Sequence, residues 1–139
     1  MRRIALALLA AAALTGTLTS CSSDTGQPAA AATTQPERVG VSEFAAVITA
    51  PGTVIIDVRT PQEFAEGHIE GAVNIPVESP DFRDNVAQLD PNLTYAVYCR
   101  SGNRSQGAVD EMASVGLTDI YELESGTVGW SDAGQPLVQ

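Results

Sequence analysis

Two short, continuously apolar segments constrain the fold of this chain more than any other feature. Thr53–Asp57 has the sequence TVIID and Thr94–Tyr98 has the sequence TYAVY, and neither alternates apolar with polar side chains. Such runs are typical of strands buried on both faces, as in a parallel sheet covered by helices. Two further strands are expected over 72–75 and 119–122. Because helical segments separate these strands, the sequence predicts an α/β domain with a mainly parallel sheet.

The helical segments show ordinary start and stop signals. Serine and threonine side chains accept hydrogen bonds from the first free amides of a helix, which makes Ser42 and Thr60 candidate N-caps. Proline and glycine end helices, as Gly116 does here. The expected helices are 42–50, 61–66, 81–89, 105–115 and 127–133.

The first 20 residues have the anatomy of a secretory signal peptide. Arg2 and Arg3 precede an apolar run over 4–14, and small residues follow. The run is shorter than the about 20 apolar residues that a membrane-spanning helix needs. Residues 18–21, LTSC, resemble the processing box of bacterial lipoproteins. This resemblance implies that Cys21 is lipidated and becomes the first mature residue; an ordinary signal peptide with a coincidental cysteine is the alternative.

The chain is accordingly divided into three parts. Residues 1–20 are the expected lipoprotein signal peptide, 21–37 the lipidated cysteine with a flexible tether, and 38–139 the folded domain. The tether consists mainly of Ser, Asp, Thr, Gly, Gln, Pro and Ala and lacks apolar periodicity. The domain is therefore expected in the bacterial cell envelope, anchored by lipid on the extracytoplasmic face of a membrane.

The charge balance limits the possible partners. The formal net charge is −10, and loss of residues 1–20 removes two of the seven arginines in a chain without lysine, which leaves −12. A domain this acidic is not expected to bind nucleic acid or an anionic lipid surface through its overall field. An anionic substrate would need a local positive site. The acidic residues, among them Glu122 and Glu124, show no metal-ligand spacing and are expected on solvated faces, so no metal or cofactor is predicted.

The chain has only two cysteines. Acylation of Cys21 would leave Cys99 without an intramolecular partner, although exported proteins usually pair their cysteines in disulfides. Cys99 directly follows an apolar strand, and the next residues, Arg100, Ser101, Gly102, Asn103, Arg104 and Ser105, form a polar loop that leads into a helix. Loop amides, the helix N-terminus and the two arginines are expected to lower the thiol pKa below about 8.5. The alternative is a buried, inert cysteine.

Three motifs in order resemble the rhodanese superfamily. The first runs over 57–76, from DVRTPQEF to GHIEGAVNIP; the second is CRSGNR at 99–104; the third runs over 123–136, from LESGTVGW to GQP. The resemblance covers essentially the whole domain. It implies a five-stranded parallel sheet flanked by helices, and sulfurtransferase activity. The usual double glycine of the third motif is Ser125-Gly126 here, which is expected to affect a turn rather than chemistry.

The resemblance also implies the chemistry. The Cys99 thiolate would take sulfane sulfur from a small donor such as thiosulfate and hold it as a persulfide, which a thiol or cyanide acceptor would discharge. The loop from Arg100 to Arg104 would bind the donor, with Asp57 and Ser105 as supporting residues around it. A noncatalytic module that binds an anion or a protein is the alternative. Phosphatases with this scaffold place arginine six positions after the cysteine, where Ser105 stands, so phosphatase activity is not expected.

Three further residues are assigned structural roles. The single histidine, His68, is expected in a structural turn. Arg59 is expected to anchor the fold by pairing with Glu63 or Glu66. Trp130 is expected in the core or over the site. The sequence predicts no oligomeric state.

Overall fold

The computed structural model describes residues 35–139. In this part of the chain five strands form one sheet in which every pairing is parallel, in the order β1-β5-β4-β2-β3. The strands are β1 (Glu37–Val39), β2 (Thr53–Asp57), β3 (Val73–Asn74), β4 (Thr94–Tyr98) and β5 (Ile120–Leu123). The helices are α1 (Val41–Ile48), α2 (Pro61–Glu66), α3 (Phe82–Val86), α4 (Asn103–Ser114) and α5 (Gly126–Asp132). The predicted α/β class with a five-stranded, helix-flanked sheet is confirmed.

Helices cover both faces of the sheet, which explains the continuous apolarity of β2 and β4. On one face Ile56 and Val97 pack with α3 and α4, where Met112 is fully buried. On the other face the α1 residue Phe44 and the α5 residue Trp130 pack against the sheet. Successive strand residues point to opposite faces, so a strand between two helical layers buries nearly every side chain.

The first strand was missed in the sequence. β1 has only three residues, ERV, and of these only Val39 is buried, opposite Leu123 of β5. A short edge strand with one buried side chain has no periodicity to detect. It also brings Glu37, the last residue of the expected tether, into the sheet.

Several predicted boundaries were wrong by a few residues. Helix α1 begins after Gly40 rather than after Ser42, and no side chain caps it. Helix α4 begins at Asn103, two residues earlier than expected, because Gly102 adopts the left-handed conformation and turns the chain directly into the helix. Helix α3 ends at Val86 and β3 has two residues, so both are shorter than predicted.

The predicted cap of α2 is confirmed. The Thr60 hydroxyl accepts a hydrogen bond from the Glu63 amide at 3.3 Å, and the Glu63 carboxylate accepts one from the Thr60 amide at 3.2 Å. This reciprocal capping box satisfies two free amides at the start of the helix.

The expected signal peptide, Cys21 and the tether up to residue 34 lie outside the described residues. Within residues 35–139, no helix has the length and apolar character needed to cross a membrane.

Candidate active site

The centre of the candidate site is Cys99, which follows β4, the middle strand of the sheet. Its side chain is only 1% exposed. The thiol sulfur Sγ lies 3.2 Å from the amide nitrogen of Gly102 and 3.3 Å from Oγ of Ser105. Both groups donate toward the sulfur when it is a thiolate. The loop therefore wraps around the sulfur as the sequence predicted.

Gly102 makes this wrapping possible. Its φ of +85° lies in the left-handed region, which side chains disfavour. A Cβ at this position would overlap the carbonyl oxygen of Glu124 and approach Nη2 of Arg38 to 2.7 Å. The loop thus closes tightly against the turn after β5, and only glycine fits there.

The turn after β5 is hydrogen-bonded to the backbone of the Cys99 loop. The Thr127 amide donates to the carbonyl of Cys99 at 2.9 Å, and the Val128 amide donates to the carbonyl of Arg100 at 3.1 Å. A Cβ on Gly126, at φ +57°, would overlap those same carbonyl groups. Ser125 has a φ of −99°, which any residue adopts. The turn needs only the second glycine, and serine is tolerated in place of the first.

The electrostatics favour the thiolate. Burial alone would raise the pKa of the Cys99 thiol, but hydrogen bonds from the Ser105 hydroxyl and from the amides of Ser105, Ser101 and Gly102 outweigh burial and lower the pKa below its ordinary value. These donors belong to the backbone and to the first turn of α4. They are in place before any substrate arrives.

The two loop arginines have different environments. Arg104 donates to both carboxylate oxygens of Glu63, at 2.7 and 2.8 Å, and lies 3.8 Å from Glu78. The hydrogen bonds to Glu63 raise the pKa of Arg104. Arg100 is exposed, and within residues 35–139 it forms no ion pair. The positive charge of Arg104 is therefore partly neutralised by carboxylates, whereas that of Arg100 faces solvent.

The exposed side chains of the loop are those of Arg100, Ser101 and Asn103. Ser101 contributes its backbone amide to the sulfur environment. Asn103 is the first residue of α4. Cys99, Gly102 and Ser105 form the buried inner wall, so the structure separates the predicted site residues into an inner and an outer group.

Asp57 belongs to a different cluster. Its carboxylate is fully buried and accepts hydrogen bonds from Arg59 at 2.6–3.0 Å, while Arg59 also donates to the carbonyl of Gly67. Tyr98, its register partner, packs on the sheet face opposite to that of Cys99. Asp57 therefore orders the β2–α2 turn rather than contacting the sulfur. The expected pairing of Arg59 with Glu63 or Glu66 was wrong, because the tight turn after β2 folds Arg59 back onto Asp57.

His68 and Trp130 occupy structural positions. The His68 ring stacks on Phe64 with centroids 3.8 Å apart, and Nδ1 lies 3.0 Å from the Phe64 carbonyl. Trp130 is 3% exposed, packs edge-on against Phe44, and donates its indole N–H to Pro136. Neither side chain contacts Cys99.

Glu122 is the residue that the sequence analysis missed. It was expected on a solvated face, but it is 3% exposed and its Oε1 lies 2.5 Å from Oγ of Ser105, within hydrogen-bond distance. Its Oε2 lies 2.8 Å from Nε of Arg38. Strand alternation was the available signal: Glu122 is two residues after Ile120, a buried core residue, and so shares its face of the sheet.

Comparison with known proteins agrees with this geometry. The family profile described as Rhodanese-like domain matches residues 40–133. The chain is 30% identical over 94 residues to the thiosulfate sulfurtransferase GlpE of Tolumonas auensis, an alignment that covers 67% of this chain and 86% of that protein. It is 38% identical over 88 residues to an uncharacterised protein of Synechocystis, covering 62% of this chain but only 47% of that protein.

Solved structures give the same result. The crystal structure of a rhodanese-related protein from Thermoplasma volcanium superposes with a TM-score of 0.65 at 31% identity, over 73% of this chain and 97% of that one. A crystal structure from Staphylococcus saprophyticus gives a TM-score of 0.63 at 34% identity, over 74% and 99% of the two chains. With a parallel sheet, a cysteine loop at its carboxyl edge and a profile match over most of its length, this chain belongs to the rhodanese-like domain family.

Proposed function

We propose that the protein is a sulfurtransferase, or a sulfane-sulfur carrier, in which Cys99 forms the persulfide. The observation that carries this proposal is the set of hydrogen-bond donors around the sulfur, with the Gly102 amide at 3.2 Å. They favour the thiolate, and we expect the same loop to stabilise an anionic terminal sulfur. The GlpE protein of Tolumonas auensis, named a thiosulfate sulfurtransferase, supports the same reaction class.

The reaction balances without an external oxidant or reductant. The Cys99 thiolate attacks the outer sulfur of thiosulfate, a new S–S bond forms, the bond between the two thiosulfate sulfurs breaks, and sulfite leaves with its electron pair. The product is a cysteine persulfide that bears the negative charge of the original thiolate. Cyanide or a thiolate then attacks the terminal sulfur, takes it, and restores the Cys99 thiolate.

Donor attraction is assigned mainly to Arg100. The domain is acidic, so a dianionic donor needs a local cation, and the Arg104 guanidinium is already paired with Glu63. Arg100→Ala should raise KM for thiosulfate more than Arg104→Ala does. High salt should weaken binding in the wild type and shrink the difference between the variants. Equal effects of the two substitutions would contradict this assignment.

Intact mass tests the reaction class directly. In a Cys21→Ser background Cys99 is the only thiol in the chain. Incubation with thiosulfate should add the mass of one sulfur atom, and cyanide should remove it and release thiocyanate. The matched control, Cys99→Ser, should gain no mass. Absence of a sulfur adduct with thiosulfate, polysulfide and persulfide donors would favour a noncatalytic binding module. If the protein hydrolysed an aryl phosphate at a higher rate than it consumed thiosulfate, it would be a phosphatase.

We also propose that the protein is a lipoprotein. The support is the order of the N-terminal features: two arginines, an apolar run, and LTSC ending at Cys21. In this proposal Cys21 carries the lipid and the domain faces the extracytoplasmic side of the membrane. The physiological donor and acceptor would then be molecules of that compartment.

A further inference from the structure

A continuous line of contacts runs from the site sulfur into the sheet. Sγ of Cys99 lies 3.3 Å from Oγ of Ser105, and that oxygen lies 2.5 Å from Oε1 of Glu122. All three side chains are buried, with 1%, 0% and 3% exposure. The Glu122 carboxylate is shielded from water and is joined to the Cys99 sulfur through the Ser105 hydroxyl. It is therefore placed to affect whether Cys99 is protonated.

The Ser105 hydroxyl has one hydrogen and therefore donates to only one neighbour at a time. If it donates to Glu122, the carboxylate is ionised and Cys99 loses one of its donors, which favours the thiol over the thiolate. If it donates to Cys99, the sulfur is a thiolate. A lone pair of Ser105 Oγ then faces Oε1 of Glu122. Two lone pairs at 2.5 Å repel, so the second arrangement requires the proton on Glu122.

We propose that Glu122 is a positioning residue that accepts the Cys99 proton through Ser105. The S–H bond of Cys99 breaks as its proton passes to the serine oxygen, while the serine hydroxyl proton passes to the Glu122 carboxylate. Serine ends with one proton, as it began. The three side chains of Cys99, Ser105 and Glu122, here called the centre, carry one negative charge in either arrangement. The charge is on the carboxylate before transfer and on the sulfur after it.

The charges around the centre match one negative charge better than two. From β1, Arg38 places Nε 2.8 Å from Oε2 of Glu122 and packs behind Gly102. From α4, Arg104 approaches Cys99, but its guanidinium is paired with Glu63. Ionising both Glu122 and Cys99 would place two negative charges in a buried centre where, among the described residues, Arg38 is the cation beside Glu122 and the unpaired Arg100 faces solvent.

The cleft beside Glu122 adds no further cation. It has a volume of about 250 Å³, and the charged side chains that line it besides Arg38 and Glu122 are Glu37 and Asp110. Both are acidic and exposed, so they oppose a second negative charge at the centre.

This inference rests on the proposed function, because the thiolate is the form that attacks the sulfur donor. Two coupled acids release their protons in two macroscopic steps. The alkylation rate of Cys99 should therefore rise at the first step, remain on a plateau through neutral pH, and rise again when both groups are ionised. Alkylation needs no sulfur donor, so its result is independent of whether sulfur transfer itself is confirmed.

The experiment compares the pH dependence of iodoacetamide alkylation in full-length Cys21→Ser chains. The test variants are Glu122→Gln and Ser105→Ala, and the control is Glu124→Gln, which removes an exposed carboxylate two residues away. Circular dichroism checks that each variant is folded. The wild type and the control should show two inflections. Glu122→Gln should show one, with reactivity at pH ~5 at least about tenfold lower relative to its high-pH limit. Ser105→Ala should also lower the plateau.

Two results would overturn the proposal. One is a single inflection in the pH profile of wild-type alkylation, a result that does not depend on whether any variant folds. The other is higher reactivity of Glu122→Gln at pH ~5, because a carboxylate that acts only as a fixed negative charge raises the thiol pKa, and its removal lowers that pKa.

Discussion

At the scale of single residues, the candidate site is shaped mainly by backbone. Cys99 accepts from the amide of Gly102 and from the hydroxyl of Ser105, and the turn at Gly126 holds the loop from the other side. Backbone donors have no rotamer freedom to lose when an anion forms beside them. Residues that permit this backbone path are consequently as important as those with reactive side chains.

Gly102→Ala should cost more stability than Gly116→Ala. Both glycines have positive φ, +85° and +100°, so both substitutions introduce strain of about 1–3 kcal/mol. A Cβ at 116 meets open space, whereas one at 102 overlaps the Glu124 carbonyl. The free energy of unfolding from urea titration should differ between the variants by about 1–3 kcal/mol. Equal losses would mean that the loop relaxes away from β5 without cost.

Asp57→Asn should destabilise the fold without changing the chemistry of Cys99. It leaves Arg59, 5% exposed, without its carboxylate, and breaking a buried pair costs about 3–5 kcal/mol. Glu111→Gln is the control, since the Arg83–Glu111 pair is exposed and should cost less than about 1 kcal/mol. Urea titration gives the stabilities. Slower alkylation of Cys99 in folded Asp57→Asn, with little loss of stability, would instead place Asp57 in direct support of the loop.

At the scale of elements, Glu63 joins two helices. Its backbone and carboxylate complete the capping box of α2, and the same carboxylate binds Arg104 near the start of α4. A single carboxylate thus fixes the N-terminal ends of two helices beside the Cys99 loop. The hydrogen bonds from Arg104, which outweigh burial, lower the pKa of Glu63 from 4.5 to about 2.

This link should make stability depend on acid pH. A carboxyl whose folded pKa is depressed stabilises the protein above its unfolded pKa of 4.5, and the contribution disappears as pH falls toward about 2. Glu63→Gln should therefore be less stable than the wild type at pH 7, by about 1 kcal/mol because the pair is partly solvated. The difference should shrink on acidification.

Urea titrations at several pH values measure the effect. Glu66→Gln, which removes an exposed carboxylate from the same helix, is the control. If the stability difference between Glu63→Gln and the wild type stayed unchanged at pH ~2, altered packing rather than the ionisation of Glu63 would account for it.

At the scale of the whole molecule, the strand order determines where the candidate site lies. The strand order puts β4 in the middle of the sheet, so Cys99 lies between the ends of β2 and β5. The C-terminal segment returns to the α2 region, where the backbone groups of Val138 and His68 exchange two hydrogen bonds of 2.8 Å. Both clusters of buried core residues are described within residues 35–139.

Cys21→Ser should separate membrane retention from folding. If Cys21 carries the lipid, the variant should move from the membrane to the soluble or secreted fraction, and fatty-acid labelling should be lost. Its thermal unfolding should match that of the wild-type domain, because Cys21 lies in the proposed tether, before the folded domain. Cys99→Ser, the matched control, should stay in the membrane fraction. Unchanged fractionation of Cys21→Ser together with an unlabelled wild type would contradict the anchor.

The fold class and the position of Cys99 could be predicted from the sequence because both depend on local patterns. Continuous apolar runs such as β4 identify strands buried on two faces, and a cysteine directly after such a strand must lie at the sheet edge where loops converge. Gly102 marked a special backbone position, and Thr60 marked a helix start.

Only the tertiary structure decided which side chains meet across long separations. Arg104 binds Glu63, 41 residues away, and Glu122 reaches Ser105 across 17 residues. Local spacing instead favoured a pairing of Arg59 with Glu63 or Glu66, and a solvated Glu122. Such contacts depend on strand order and register, which bring distant residues within hydrogen-bond distance and which no local pattern encodes. The sequence by itself therefore determined the fold class and the position of Cys99 at the sheet edge, and the packing of the sheet decided the electrostatic partners of Cys99.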